Sequence, residues 1–325
     1  MANVVSPLTT TRAFFVTDVH GSERCFLKFI NAAKFYNAKI LILGGDITGK
    51  MVVPIFRHTD GIYHSQPFGN DMTADSEEQI SKLEKIIRDS GYYPYRTTED
   101  EMTALEADRR KVDALFTRLM CESTVRWIEI ANQRLKGTGA ICYISPGNDD
   151  RLEIDASLTD SESVINPEGK NVRLTPHHEM ITLGFTNPTP WHTPREISEE
   201  EFAAKISPLA EQIGDMANAI FNFHCPPANT LIDQAPKLDA TLKPVMKGGQ
   251  NEWISTGSVA VRTSIEKHQP LIGLHGHIHE SKGVAKLGRT LCLNPGSEYG
   301  EGILRGVIVE LGDKGGITNY MFTSG

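Results

Sequence analysis

Cysteine is scarce and unpaired in this sequence. Cys25, Cys121, Cys142, Cys225 and Cys292 are an odd, scattered set with no C-x-x-C spacing. That excludes a disulfide framework and a cysteine-built zinc site, and it fits reduced thiols in a cytoplasmic protein. Long apolar runs are missing too. The strongest, such as Ile40 to Leu43, last a few residues, where a bilayer span needs about 20. The opening MANVVSPLTTTR has no early positive charge followed by an apolar stretch, the mark of a secretory signal. Positive charge is in deficit. There are 33 Lys and Arg against 41 Asp and Glu, a net charge of −8, which argues against a nucleic-acid binder that works through a broadly basic surface. What is there is 325 residues, 39% hydrophobic and 23% charged, the make-up of an ordinary globular chain long enough to bury a sizeable core.

The first fifty residues read as strand, helix, strand. Ala13 to Val16 and Lys39 to Leu43 are short apolar runs. Between them, Glu23 to Tyr36 places Phe26, Phe29, Ile30 and Ala33 at helical spacing. Such a unit predicts a parallel sheet with ligands at the carboxyl ends of its strands. Residues 51–139 read as an insertion of a hairpin and two helices within a single domain spanning 1–325. Asp60-Gly61 marks the hairpin, Ser76 to Asp89 is amphipathic, and GYYPY reads as a linker. Thr98 and Glu101 have capping-box spacing before a helical stretch to about Leu135. This insertion is a candidate cap, or a surface for homo-oligomer formation. The alternation then resumes with strands at Ala140 to Ile144, Met180 to Phe185, Ala219 to Phe223 and Leu271 to Leu274. A helix is expected from Ser198 to about Ala217 with a kink at Pro208, and the tail from Thr290 onward reads as antiparallel β.

Five polar clusters fall just past predicted strands: Asp18-Val19-His20, Gly45-Asp46, Gly147-Asn148-Asp149-Asp150, His224, and Gly276-His277-Ile278-His279. Each alone is weak, since a D-x-H or H-x-H arises by chance in many chains. Together they are specific: all sit at strand ends and offer oxygen or imidazole nitrogen, and most are bordered by glycine. No thiolate is among them, which suits Mn²⁺, Fe²⁺, Zn²⁺, Co²⁺ or Ni²⁺. Seven ligands exceed the needs of one ion and fit two that share a carboxylate, the device used for displacement at phosphorus.

The order D-x-H, GD, GN-x-[DE], H, GH-x-H resembles the calcineurin-like metallophosphoesterases, over residues 13–50 and 140 to about 310. The resemblance implies an α/β fold, a four-layer α/β/β/α sandwich of two mixed β-sheets, with a dinuclear centre at the sheet edges. It implies two divalent metal ions, Mn²⁺ the first choice, and a metal-bridging hydroxide as nucleophile. Asp18, His20, Asp46 and His279 would hold one metal; Asp46, Asn148, His224 and His277 would hold the other. The family usually reads GNH[DE], its histidine helping the leaving group depart. Here Asp149 stands at that position. An aspartate ordinarily ionises near pH 4, so it is a poor acid at neutral pH unless burial or a neighbour such as Asp150 raises it.

His275, His192, His58 and His64 are candidate substitutes for the missing acid, each with an ordinary alternative as a packed or loop histidine. Arg195, just ahead of a helix, and Arg151, directly after the GNDD turn, are candidate phosphate contacts or else salt-bridge partners. Trp191 and the YYPY aromatics could stack on a base, though packing is their commoner use. Asn294-Pro295-Gly296-Ser297 is expected to shape the site. The function expected is hydrolysis of a small phosphorylated substrate, a phosphodiester or nucleotide-like compound. The alternatives are a nuclease of the same superfamily and a non-catalytic interaction module.

Overall fold

The computed structural model describes residues 10–325; the start of the N-terminal stretch read above for a leader lies outside them. Two six-stranded mixed sheets dominate. The first runs in the order Ile317–Ser324, Arg305–Gly312, Thr10–Val16, Ile40–Gly44, Ile141–Ser145, Val164–Ile165. The four strands from Thr10–Val16 onward are mutually parallel, and the two C-terminal strands add antiparallel on the other edge. The second sheet is ordered Gly283–Leu287, Thr290–Asn294, Ile272–Leu274, Ile220–Phe223, Glu179–Leu183, Asn171–Arg173. Its four central strands are parallel, so Thr290–Asn294, expected as antiparallel, is antiparallel to Gly283–Leu287 on one edge and parallel to Ile272–Leu274 on the other.

Side-chain alternation decides what each sheet covers. In the first strand Phe14 and Val16 join a core with α1 (Glu23–Phe35), whereas Ala13 and Phe15 join one that includes Met180, Ile220, Ile272 and Leu293 of the second sheet. The outer face of the second sheet carries its own core, with Phe202 and Ile206, Val261 and Ile265 contributed by its helices. Helices therefore cover the outer faces, and the two sheets pack on each other.

Residues 51–139 form more than a hairpin. Met72–Ala74, Tyr63–Ser65, Val52–Arg57 and Tyr93–Thr97 make a third sheet in that order. The segment read as a linker supplies its last strand, parallel to Val52–Arg57. Helix α2 (Glu77–Asp89) packs on it through Leu83 and Ile87. The capping box at Thr98 and Glu101 opens α3 (Glu99–Glu106), and the chain restarts at the Asp108 cap as α4 (Arg109–Leu135). The C-terminal half of α4 is integral to the first core: Trp127 stacks on Phe26 with ring centroids 4.2 Å apart and planes 8° from parallel. Farther on, α5 (Glu199–Ala210) stops short of Ala217, with Pro208 inside it, and α6 (Val259–His268) is a helix the sequence reading did not assign. No helix among the described residues is long and apolar enough to cross a membrane.

The stack ties the insertion to the sandwich. Trp127→Ala should cost about 3–5 kcal/mol in urea unfolding, and Trp127→Phe much less, because the ring contact survives.

Candidate metal centre

Parallel strands that start level also end level. Gly44 pairs with Ser145 in the first sheet and Leu274 with Leu293 in the second. The loops that follow carry the predicted ligands, and hydrogen bonds across the two sheets gather them. The Asp18 amide donates to Gly45 O (3.0 Å) and the His20 amide to Asp46 O (2.9 Å). The His277 amide donates to both Asp18 carboxylate oxygens (3.2 and 3.1 Å). His224 Nδ1 lies 2.9 Å from Gly44 O; it carries its proton there, which leaves Nε2 facing the cluster.

The close approach has a steric condition. A Cβ on Gly147 would strike the amide and carboxylate of Asp46, and one on Gly276 would strike Thr17 and the Asp18 carboxylate. It also has a backbone condition. Asp18 (φ 54°), His20 (40°), Asp46 (50°) and His277 (66°) all sit in the left-handed region, at a cost of roughly 1–3 kcal/mol each for a residue with a side chain. Strain concentrated on four of the seven predicted ligands points to function.

The acceptor atoms converge in two groups around Asp46. On one side, His20 Nε2 lies 3.1 Å from His279 Nε2 and 3.6 Å from Asp46 Oδ2, and His279 Nε2 is 3.3 Å from Asp18 Oδ1. On the other, His224 Nε2 lies 3.4 Å from Asp46 Oδ1 and 3.7 Å from Asp18 Oδ1. Asn148 gives its amide protons to Asp149 (3.3 Å) and Thr193 Oγ1 (2.9 Å), which turns its Oδ1 inward. The His277 ring packs against that of His224. Asn148 Oδ1 and His224 Nε2 are buried without a hydrogen-bond partner. An oxygen and a ring nitrogen buried without partners beside two carboxylates are what a cation, proton or metal, would satisfy. Asp18, His20 and His279, and Asp18, Asp46 and His224, are each close enough to hold one.

The electrostatics agree. Burial opposes charge on His224, yet the carboxylates of Asp46 and Asp18 outweigh it and raise the imidazole to about 10. Burial likewise opposes ionisation of Asp18 and Asp46, but the facing histidines hold both well below the ordinary carboxylate range. A proton thus balances charge that a divalent cation would balance better.

The other predicted residues divide. Asp149 faces the centre, its amide donating to Asp46 Oδ1 (3.0 Å) and its Oδ2 lying 3.8 Å from His20 Nδ1. Burial and then the Asp46 charge raise its pKa. Lys50, which sequence reasoning missed, opposes that shift from 2.6 Å; the only signal was its place four residues after Asp46. Asp150, expected to act on Asp149, instead clamps loops. Its carboxylate accepts from the Ile47, Thr48 and Gly147 amides and the Thr48 hydroxyl. Burial first, then Asp46, raises it to about 6. Tyr299, its ring 4.6 Å from that of His20, was also missed.

Several candidates are corrected. Arg195 is only 2% exposed. Its guanidinium donates to Asp150 O (2.8 Å) and Arg151 O (3.1 Å) and pairs with Asp155 (2.5 Å). With those donors engaged inside the protein it is no phosphate contact. His275 is buried with Nδ1 2.8 Å from Phe223 O, and burial lowers it to about 4, so it is neutral and turned into the fold. His58 and His64 pack edge to face in the hairpin of the insertion, off the cleft wall. His192 is exposed, and its neighbours Trp191 and Thr193 line the cleft in its place. Arg151 does line the cleft, held by Thr117 (2.8 Å) and Asp113 (2.7 Å) over the Phe116 ring. Asn294 donates to Gly276 O and Ile278 O and so shapes the HGHIH turn.

No protein-family model matches the chain. It is 31% identical over 152 residues to the uncharacterized protein MJ1162 of Methanocaldococcus jannaschii, a match covering 46% of this chain and 61% of that protein. The chain therefore spans less than two thirds of that relative. One crystal structure aligns over 97% of this chain and 99% of its own at a TM-score of 0.55 and 14% identity. TT1561 of Thermus thermophilus aligns over 98% and 99% at 0.53 and 13%. The mixed α/β fold is thus shared with solved proteins, and the described residues add Asp/His clusters close enough to hold a metal ion.

Two outcomes follow. A divalent cation loading here must displace a proton from His224, so affinity should rise with pH between 6 and 9. Calorimetric heats should then vary with the buffer's ionisation enthalpy. Arg195→Met should lower stability by about 2–4 kcal/mol in urea unfolding; a phosphate-contact role would leave the unfolding midpoint in place and raise KM.

Proposed function

We propose that this chain is a divalent-metal-dependent phosphoesterase of the calcineurin-like type, acting on a small phosphodiester or nucleotide-like substrate. The observation that carries this reading is Asp46, whose two carboxylate oxygens face separate groups of acceptors. On it, Asp18, His20, Asp46 and His279 hold one ion and Asp46, Asn148, His224 and His277 the other. Mn²⁺ is the first candidate for both, as the resemblance implies, and the oxygen and imidazole donors equally admit Fe²⁺, Zn²⁺, Co²⁺ or Ni²⁺. Such a pair of ions supplies a water of lowered pKa and a clamp on phosphoryl oxygens.

The chain's own groups set the rest. Gly44 O fixes the His224 tautomer, and the His277 amide fixes the Asp18 rotamer. Where the family carries a histidine this chain carries Asp149 ion-paired to Lys50, and the carboxyl, although raised by burial and the Asp46 charge, stands in place of the imidazole that would share a proton with the leaving group. That favours leaving groups needing little protonation, as in diesters and pyrophosphates. Lys50 and Arg151 are the basic side chains on the cleft wall, and Asp149 and Asp113 already engage them. So thin a basic lining supports a small substrate over a nucleic-acid strand. The five free cysteines fit a reducing compartment, the cytoplasm.

The test is hydrolysis by metal-stripped protein reloaded with Mn²⁺. Bis-p-nitrophenyl phosphate should turn over faster than p-nitrophenyl phosphate, and His277→Ala should lower that rate by more than about 100-fold. Equal rates on the two esters would overturn the diester preference. Absence of both, with metal bound, would overturn the enzyme.

A further inference from the structure

The centre forms one end of a cleft of about 900 Å³, at the upper end of small-ligand sites. Two of its other walls, apart from the one that carries Arg151, are of another character. One is the loop carrying Pro188, Pro190, Trp191 and Pro194; facing it are Leu238, Leu242, Pro244 and Ile254 from the 234–256 segment. Trp191 is 61% exposed, Leu242 47% and Ile254 39%. Apolar side chains left open in a cleft mark a binding surface.

The same walls have little to offer a polar ligand. Their prolines have no N–H to donate. The hydroxyls of Thr189 and Thr193 donate to Glu196 (2.5 and 2.7 Å), and that of Thr256 donates to Asp233 O (3.1 Å). Asn187 gives its amide to Thr256 O (3.3 Å) and accepts from Cys225 Sγ (3.0 Å). A sugar or base placed there would lose its water and gain few hydrogen bonds.

We propose that this arm of the cleft binds an apolar organic group, alkyl or aryl, carried by the phosphate ester whose phosphoryl group sits at the Asp46 centre. The assignment rests on the phosphoesterase reading for the phosphate end. For the other end it rests on the apolar wall continuous with that centre. It narrows the substrate from phosphodiesters in general to those with an apolar ester group, as against nucleotides.

The test separates the two readings by measuring binding as well as turnover. Titrate Mn²⁺-loaded and metal-free protein with methyl-, butyl- and octylphosphonate and with adenosine 5′-monophosphate, following tryptophan fluorescence and calorimetric heat. Octylphosphonate should bind at least about tenfold tighter than methylphosphonate, since added methylenes enter an apolar pocket. It should also bind tighter than the nucleotide. Leu242→Ser and Ile254→Ser, both at half-open positions that leave the core intact, should bring the octyl-to-methyl ratio down toward one. Equal affinity along the series, or preference for the nucleotide, would overturn the proposal even if diesters are hydrolysed. Chain-length-dependent binding without turnover of any ester would uphold the apolar arm and sink the enzymatic reading instead.

Discussion

Asp46 is the constraint on which the rest depends. Its amide and carboxylate stand against Gly147, its carbonyl takes the His20 amide, and one carboxylate oxygen takes the Asp149 amide. The same carboxylate faces His20 on one side and His224 on the other. A left-handed residue can meet all these demands only because two sheets stack with the carboxyl ends of their parallel strands at one edge. The inter-sheet core of Phe15, Ile42, Ile220 and Leu274 fixes that stacking. Hydrophobic burial thus positions a polar cluster that would not assemble by itself, since its carboxylates repel and its backbone is strained.

The cluster is held open by its surroundings. Asp150 fastens the loop after Ile40–Gly44 to the GNDD turn through its two carboxylate oxygens, Arg195 braces that turn from behind, and Asn294 braces the HGHIH turn. These three side chains are chemically reactive types employed as structural pins. Reactive-looking residues beside a site are often the frame that keeps ligands at fixed separations.

Much of this was legible in the chain. Short apolar runs followed by a ligand-type residue recur five times, most with glycine beside them, and each lands at a strand end because a buried parallel strand must be apolar and its exit must turn. What escaped was set by partners distant in sequence. Tyr93–Thr97 looked like a linker because GYYPY carries glycine and proline, yet pairing with Val52–Arg57 makes it a strand. Residue type showed Arg195 and His275 as cation and base; only tertiary contact shows their nitrogens turned to backbone carbonyls. A lone lysine after a turn is ordinary in sequence, and the meaning of Lys50 comes from Asp149, about a hundred residues away.

The Thr193 hydroxyl joins two functions. It accepts from the Asn148 amide and donates to Glu196, which also holds Thr189 in the proline-rich loop. A predicted ligand and a specificity wall therefore share one hydrogen-bond chain. Exchanging the loop to admit a different ligand would disturb the orientation of Asn148 unless Thr193 and Glu196 travelled with the graft. New specificities are most accessible from the opposite wall, where Leu242 and Ile254 lie on a segment that supplies none of the predicted ligands.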